Sequence, residues 1–275
     1  MKFSALSLGL IAAFSGAGHA APVPEYNICI TSVALQMISL FETGSIGLNY
    51  GNCRKDSDGS GYASGIISFT TRHGDALKVI KEFMTTGNYN GEFDEYIDTL
   101  EEYADSGSRS TKNLDGYCDA WDAAAADSFE FRLAQSSIVY DKYDSPSQEY
   151  IDEIGIKLSV TRAVLYDTAI VGGLGSSKST LGGIFKATND AFDSDVSGES
   201  GNSVTVNGKY QVDEVVWLEK FLDIRKKNSR GGHKNIEAYR SIITRNDLNW
   251  SDSVTITDSD GDDVVINCDF TRGVK

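Results

Sequence analysis

The stretch from Leu114 to Gly172 limits the possible folds of this 275-residue chain more than any other segment. It contains a single proline, Pro146, and its apolar residues recur every three or four positions in WDAAAADSFEFRLAQSSIVYDKY and YIDEIGIKLSVTRAVLYDTAIV. Such spacing places the apolar side chains on one face of a helix. The stretch therefore predicts long central helices that form the scaffold of a mainly α fold.

Shorter segments on both sides repeat the helical pattern. TSVALQMISLFE opens with the capping residues Thr31 and Ser32, which predicts a helix that begins there and ends near Glu42. The same pattern occurs in GDALKVIKEFM, FDEYIDTLEEYA, VDEVVWLEKFLDIRKKN and NIEAYRSIITRN. We therefore expect helices along most of the chain.

Three segments depart from this pattern. The loop that follows Glu42 is so rich in glycine, from Gly44 to Gly61, that we expect no regular element in it. SVTVNGKYQV predicts a hairpin that turns at Asn-Gly. SVTIT and DVVIN, near the C-terminus, predict two strands on either side of an acidic turn.

The first twenty residues, MKFSALSLGLIAAFSGAGHA, resemble a signal peptide, because one lysine precedes a short apolar stretch that ends in small residues. We expect residues 1–20 to be removed and residues 21–275 to form a single domain of two lobes around a cleft. No later segment approaches eighteen uninterrupted apolar residues, so no membrane anchor is expected. The mature protein is expected to be secreted and extracellular.

The four cysteines suit two disulfides in an oxidising compartment. Three pairings are possible from sequence alone, and we favour Cys53–Cys118 with Cys29–Cys268. Zinc is disfavoured because no two cysteines lie close in sequence and the histidines show no ligand spacing. We expect neither a metal nor another cofactor.

The net charge of −15 repels nucleic acid and anionic membranes and would attract a polycationic partner. Solubility alone would also explain this charge. We expect no nucleic-acid partner, no membrane partner and a monomeric state.

The tetrapeptide DSDG occurs twice, at residues 56–59 and 258–261. The second copy lies between two predicted strands, where Asp and Gly supply a turn without any further function. Calcium binding is the alternative interpretation. It is disfavoured because Gly261 stands at the fourth rather than the sixth place of the run, and no glutamate follows at the twelfth.

The first copy of DSDG follows Glu42 across the glycine-rich loop. Desolvation at the end of an apolar helix would raise the pKa of Glu42, which suits a general acid. Asp58, between glycines and better hydrated, suits a general base that activates water. Two carboxylates in such different environments indicate glycoside hydrolysis, although an acid that ends a helix and an acid in a turn need no function.

Several segments resemble the family 46 chitosanases, to which the family 80 chitosanases are related. They are ALQMISLFETGS, YGNC, DGSGYASGIISF, GDALKVI, WDAAAADSFEFRLAQ, LYDTAIVGGLG, LGGIFKAT, WLEKFLDIRKK and NDLNW, in the expected order over most of the mature chain. The resemblance implies a lysozyme-like, two-lobed helical fold with a cleft and small β-hairpins. It also implies a secreted endo-chitosanase that hydrolyses β-1,4 bonds between glucosamine units of chitosan with inversion of configuration.

The resemblance also implies roles for individual residues. Glu42 matches the general acid, and Asp58 rather than Asp56 matches the general base. An inverting mechanism then predicts that the two carboxyl groups are about 6.5–9.5 Å apart, which leaves room for water. Asp75 matches a carboxylate that binds the amine of the substrate. A charged network that supports the acid is matched by Asp167, Arg225 and Arg240.

The chain departs from the family pattern at one place. The family often has a threonine after DGSGY that helps to hold the attacking water, whereas Ala63 and Ser64 follow Tyr62 here. Ser64 is the candidate replacement, and Tyr62 is a candidate for contact with a sugar face.

Two other interpretations stay open. The chain would be a non-catalytic, secreted carbohydrate- or calcium-binding protein if its acidic loops held a ligand without cleaving it. It would keep the fold but act on acetylated chitin or peptidoglycan if its cleft accepted acetylated sugars. The many acidic residues favour free amines and hence chitosan, which is cationic, as the partner.

Overall fold

The computed structural model describes residues 25–57, 59–228 and 233–268. The predicted signal peptide lies outside these ranges. Within them, none of the helices has both the length and the apolar character that a membrane span requires.

The N-terminal part combines a long helix with a small sheet. Helix α1 spans Glu25–Thr43, and three short antiparallel strands follow in the order β1 (Cys53–Lys55), β2 (Tyr62–Ser64) and β3 (Phe69–Thr70). The expectation that the glycine-rich loop has no regular element was therefore wrong. These strands have two or three residues each, which is too short to produce a visible alternation of apolar and polar positions.

Helix α1 also begins well before the predicted caps. Ser32 is fully buried inside the helix, and its Oγ accepts a hydrogen bond from Gln36 Nε2 at 2.8 Å. Its hydroxyl is therefore satisfied within the helix and does not cap the N-terminus.

The central part is helical, as predicted, but the helices are shorter than expected. The elements are α2 (Asp75–Met84), a 3₁₀ turn (Asp94–Tyr96), α3 (Ile97–Ser106), α4 (Tyr117–Asp127), α5 (Phe129–Val139), a π-helical segment (Tyr140–Asp144), α6 (Ser145–Ile154) and α7 (Ser159–Gly172).

Two residues interrupt the expected long helices. Ser128 has an extended backbone, and its Oγ accepts a hydrogen bond from Phe131 N at 3.1 Å, so it ends α4 and caps α5. Gly155 adopts a left-handed conformation with φ of 76° and ends α6.

The C-terminal part consists of α8 (Leu181–Asn189), β4 (Ser203–Val206), β5 (Tyr210–Asp213), α9 (Glu214–Asn228), α10 (His233–Thr244), β6 (Ser253–Thr257) and β7 (Asp263–Asn267). Both predicted hairpins are present, as β4–β5 and β6–β7. The first turns at Asn207 and Gly208, whose φ values are 54° and 64°.

Helix α7 lies at the centre of the molecule. It packs against α1, and its residues from Ser159 to Ala169 are buried almost without interruption. Both favoured disulfides are present: Cys29–Cys268 joins α1 to the end of β7, and Cys53–Cys118 joins β1 to α4. The N-terminal helix is thus fixed to the central helix by packing and to the C-terminal hairpin by a covalent bond.

Candidate active site

Glu42 lies in the last turn of α1, and Asp58 falls in sequence between β1 and β2. The Glu42 side chain and the whole of Asp58 lie outside the described residues. The predicted separation of their carboxyl groups therefore stays a prediction. The structure does describe the backbone segments that lead into both positions.

Backbone hydrogen bonds close the turn between β1 and β2, and Gly61 in this turn packs closely against Thr71. Asp56 N donates to Gly61 O at 2.8 Å, and Gly59 N donates to Asp56 O at 3.3 Å. Gly61 has φ of 81°, and a Cβ at this position would lie 2.2 Å from Thr71 Oγ1. That hydroxyl oxygen accepts a hydrogen bond from Tyr62 N at 3.1 Å. Only glycine fits, because a side chain would displace Thr71 and the strand that it binds.

The loop that joins α1 to β1 is held by two helices below it. Tyr50 O accepts hydrogen bonds from Trp121 Nε1 at 2.9 Å and from Gln135 Nε2 at 3.0 Å. Gln135 Oε1 in turn accepts one from Ile66 N at 3.2 Å, beyond β2. Helices α4 and α5 thus fix the chain on both sides of the β1–β2 hairpin. No role for Gln135 followed from the sequence, where the one signal is an amide within the apolar run FRLAQ.

Asp75 is the first residue of α2 and forms an ion pair. Its Oδ1 lies 2.8 Å from Nζ of Lys142, which belongs to the π-helical segment. Burial alone would lower the pKa of Lys142, but hydrogen bonds and charge interactions with Asp75 and Tyr143 together outweigh burial, and the net pKa is raised. Lys142 is therefore a stable cation beside the carboxylate that the resemblance assigns to the substrate amine.

Asp167 of α7 is fully buried and accepts hydrogen bonds from side chains of α9 and α10. Arg225 of α9 donates through both terminal nitrogens, to Oδ2 at 3.4 Å and to Oδ1 at 3.2 Å. Asn235 of α10 donates to Oδ2 at 3.4 Å. A buried carboxylate requires such partners. The cluster lies on the helix that packs against α1, and thus supports the helix that carries Glu42.

Arg240 does not join this cluster, which corrects the predicted network. Its guanidinium pairs with Glu219 at 3.1 Å, Asp223 at 2.5 Å and Glu237 at 3.5 Å. Residues five positions apart on an α-helix point about 140° apart. Since Asn235 faces Asp167, Arg240 faces the outer side of α9, and the sequence assigned the wrong residue of α10 to Asp167.

Ser64 is also placed differently from the prediction. Its side chain is fully buried, with Oγ 3.1 Å from the Tyr117 hydroxyl and donating to Phe69 O at 3.4 Å. Ser64 therefore faces the core and not the solvent, where a water-holding residue would be needed. Tyr62 is half-buried, and its ring packs against that of Tyr117 with centroids 5.6 Å apart.

The second DSDG forms the predicted turn between β6 and β7. Asp258 Oδ1 accepts hydrogen bonds from Asp260 N at 2.9 Å and Asp262 N at 3.0 Å, while Asp258 N donates to Asp262 O at 2.9 Å. These contacts account for the acidic residue at the start of the turn. In the part of the chain that the structure describes, no three His, Cys, Asp or Glu side chains gather as metal ligands would.

A mainly helical scaffold with short β-hairpins agrees with the family resemblance, and the comparisons establish the family. The glycosyl hydrolase family 46 model matches residues 36–256. The chain therefore belongs to glycosyl hydrolase family 46 and is a glycoside hydrolase.

Individual relatives are chitosanases. The chain is 34% identical over 217 residues to the chitosanase of Bacillus subtilis strain 168, covering 78% of this chain and 73% of that protein. Its fold is similar to a mutant chitosanase from Bacillus subtilis MY002 complexed with 6 GlcN, with TM-score 0.70, 30% identity and coverage of 86% and 98%. It is also similar to a Gynuella sunshinyii family 46 chitosanase complexed with chitotetraose, with TM-score 0.71, 25% identity and coverage of 86% and 97%. The predicted family and the mainly α, lysozyme-like fold are confirmed.

Proposed function

We propose that this glycoside hydrolase is a secreted endo-chitosanase that hydrolyses β-1,4 bonds between glucosamine units of chitosan with inversion of configuration. The observation that carries the proposal is the family match over residues 36–256, which includes both proposed catalytic carboxylates. The complexes of two structural relatives with 6 GlcN and with chitotetraose support the choice of substrate.

In the proposed mechanism, Glu42 protonates the glycosidic oxygen as the bond to the leaving sugar breaks. Asp58 removes a proton from a water molecule that attacks the anomeric carbon from the opposite face. The transition state has oxocarbenium character. Asp75 binds the ammonium group of a glucosamine unit, and the pair of Asp167 with Arg225 supports the scaffold behind Glu42.

Three matched substitutions test the two catalytic roles. Glu42→Gln and Asp58→Asn should each reduce the release of reducing ends from fully deacetylated chitosan by about 10²–10⁴-fold, because each removes a proton-transfer group. Asp56→Asn is the control, since it makes the same change within the same tetrapeptide. Loss of activity with Asp56→Asn and retention with Asp58→Asn would reassign the base.

The stereochemistry is tested separately. Proton NMR of the first-formed product should show the anomer opposite to that of the β-linked substrate. If the β-anomer formed first, Asp58 would not act as the proposed base on water. Parallel digestion of partly acetylated chitosan and of chitin tests the acetylated substrates, on which we expect lower rates.

Secretion and the two-lobed single domain are part of the proposal. The sequence of the first twenty residues and the two disulfides support secretion. When the full chain is expressed in a secreting host, the protein recovered from the culture medium should begin at Ala21. Size-exclusion chromatography with light scattering should give the mass of a monomer.

A further inference from the structure

Asp75, the carboxylate that the proposed function assigns to the substrate amine, is already paired with the ammonium group of Lys142. Nζ of Lys142 lies 2.8 Å from Oδ1 of Asp75, and the two side chains are 34% and 14% exposed. A partly buried pair is screened by solvent and salt much less than a surface pair. The contact therefore changes what Asp75 can offer to a ligand.

The two partners come from different elements. Asp75 begins α2, where the partial positive charge of the helix N-terminus also stabilises a carboxylate. Lys142 belongs to the π-helical segment that follows α5, and α5 packs against α2. π-Helical turns are frequent at functional sites, so the irregular segment that carries Lys142 is consistent with a role at the ligand site.

Lys142 also contacts an aromatic ring. Its Nζ lies 5.0 Å from the centroid of the Tyr143 ring. A carboxylate beside an aromatic face is a suitable site for a protonated amino sugar, because the ammonium pairs with the carboxylate and is attracted to the ring. Lys142 therefore makes with its own ammonium the two contacts that a glucosamine ammonium would make.

We propose that Lys142 determines specificity at this subsite: its ammonium must leave Asp75 before a glucosamine unit binds there. The inference rests on the proposed function, which assigns Asp75 to the substrate amine. Lys142 lowers the affinity for a glucosamine unit, because that unit replaces an existing ion pair rather than a hydrated carboxylate. An acetylated unit has no ammonium with which to displace Lys142. Lys142 therefore reduces the difference in affinity between glucosamine and N-acetylglucosamine units.

The test is a binding measurement with Lys142→Met in the Glu42→Gln background, which prevents cleavage of the ligand. Calorimetric titration with the fully deacetylated glucosamine hexamer should show about fivefold tighter binding than the Glu42→Gln protein. Titration with the fully acetylated hexamer should show no change. In the otherwise unchanged enzyme, the same substitution should lower KM for the deacetylated hexamer and change kcat less than twofold.

Lys81→Met is the matched control. Lys81 lies on α2 and pairs with Glu101 at the same 2.8 Å, but the two side chains are 52% and 46% exposed. The control removes the same charge and therefore measures any general gain in attraction for a cationic ligand. Lys142→Arg keeps the cation and should keep the original affinity, while Lys142→Gln provides a second neutral variant.

Equal affinities of Lys142→Met and Lys81→Met for the deacetylated hexamer would overturn the inference. Weaker binding by Lys142→Met would also overturn it, since Lys142 would then hold Asp75 in place rather than compete with the ligand. Absence of chitosan cleavage by the unsubstituted enzyme would instead contradict the proposed function. The affinity ratio does not depend on turnover, so the two failures are distinguishable.

Discussion

Asp144, at the end of the π-helical segment, is buried, and its Oδ2 has no hydrogen-bond partner among the described residues. Burial raises the pKa of Asp144 from 3.8 to about 6, although a hydrogen bond from Gln148 and the charge of Arg162 act in the opposite direction. Because the folded pKa is the higher one, the native state binds more protons than the unfolded state between about pH 4 and 6. Stability from this group is therefore lost as the pH rises through that window.

Asp144→Asn should remove this loss. Between pH 4 and pH 7, the difference in free energy of unfolding between the variant and the unsubstituted protein should change by on the order of 2 kcal/mol in favour of the variant. Urea denaturation at both pH values measures this difference. Asp141→Asn, at an exposed position of the same segment, is the control. A difference between Asp144→Asn and the unsubstituted protein that did not vary with pH would contradict the assignment.

Arg225 and Arg240 allow a second comparison between single residues. Arg225→Met leaves the buried carboxylate of Asp167 without its cationic partner, which should cost about 3–5 kcal/mol in the free energy of unfolding. Arg240→Met removes exposed ion pairs and should cost about 1 kcal/mol or less. Thermal and urea denaturation provide the measurement. Similar losses for the two variants would show that burial of the Asp167 pair does not govern its contribution.

For individual residues, the sequence is informative only where a motif identifies the residue. The segment LYDTAIV identified Asp167 and FLDIRKK identified Arg225, and the structure brings the two together. Arg240 was assigned from the family resemblance and Ser64 from its place after Tyr62 and Ala63, but a few positions on a helix or one on a strand change the direction of a side chain. The pair of Lys142 with Asp75 links residues 67 positions apart, and no sequence pattern indicates it.

Among the elements, the start of α7 has an unusual N-terminal cap from distant segments. Glu214 is fully buried and accepts hydrogen bonds from Lys157 N at 3.0 Å and Leu158 N at 2.9 Å. Asn249 Oδ1 accepts one from Ser159 N at 3.0 Å. These acceptors satisfy amide groups at the helix N-terminus, and they join α9 and the segment after α10 to the helix that carries Asp167.

Glu214→Ala should therefore lower the free energy of unfolding by about 1–3 kcal/mol, because it removes the carboxylate that accepts a hydrogen bond from the buried Leu158 amide. Glu214→Gln keeps one side-chain carbonyl and should lose less. Glu219→Ala, on the same helix but partly exposed, controls for helix propensity. Equilibrium urea denaturation measures the three variants. Equal losses for Glu214→Ala and Glu219→Ala would exclude the capping role.

The elements themselves were predictable in proportion to their length and periodicity. The β6–β7 hairpin has strands of five residues with alternating burial, and the sequence located both strands correctly. Strands β1 to β3 were missed, because glycines with left-handed backbone, such as Gly59 and Gly61, indicate a loop. The ends at Ser128 and Gly155 were missed because apolar spacing continues across both breaks, and only backbone conformation shows the interruption.

For the whole molecule, the fold class followed from helical periodicity and the family from a set of segments in order. The packing of α7 against α1 could not be predicted from the sequence, since it depends on contacts between segments far apart along the chain. The favoured disulfide pairing, which joins Cys29 to Cys268 across 239 positions, was one of three that the sequence allowed, and the structure contains it.

The charge of the whole chain supplies the last prediction. With 40 acidic and 25 basic residues, the protein has a net charge of −15, and protonated glucosamine units are cationic. The screening length falls from about 10 Å at 0.1 M salt to about 3 Å at 1 M, so long-range attraction weakens as salt is added. We expect kcat/KM on polymeric chitosan to fall about tenfold between low salt and about 0.5 M NaCl, with little change in kcat, because salt affects encounter and not bond cleavage. Partly acetylated chitosan has a lower charge density and should show a shallower dependence in the same assay. If both polymers gave a flat dependence on salt, electrostatic attraction would not contribute to substrate capture, and the acidic surface would serve solubility while the roles of Glu42 and Asp58 stayed as proposed.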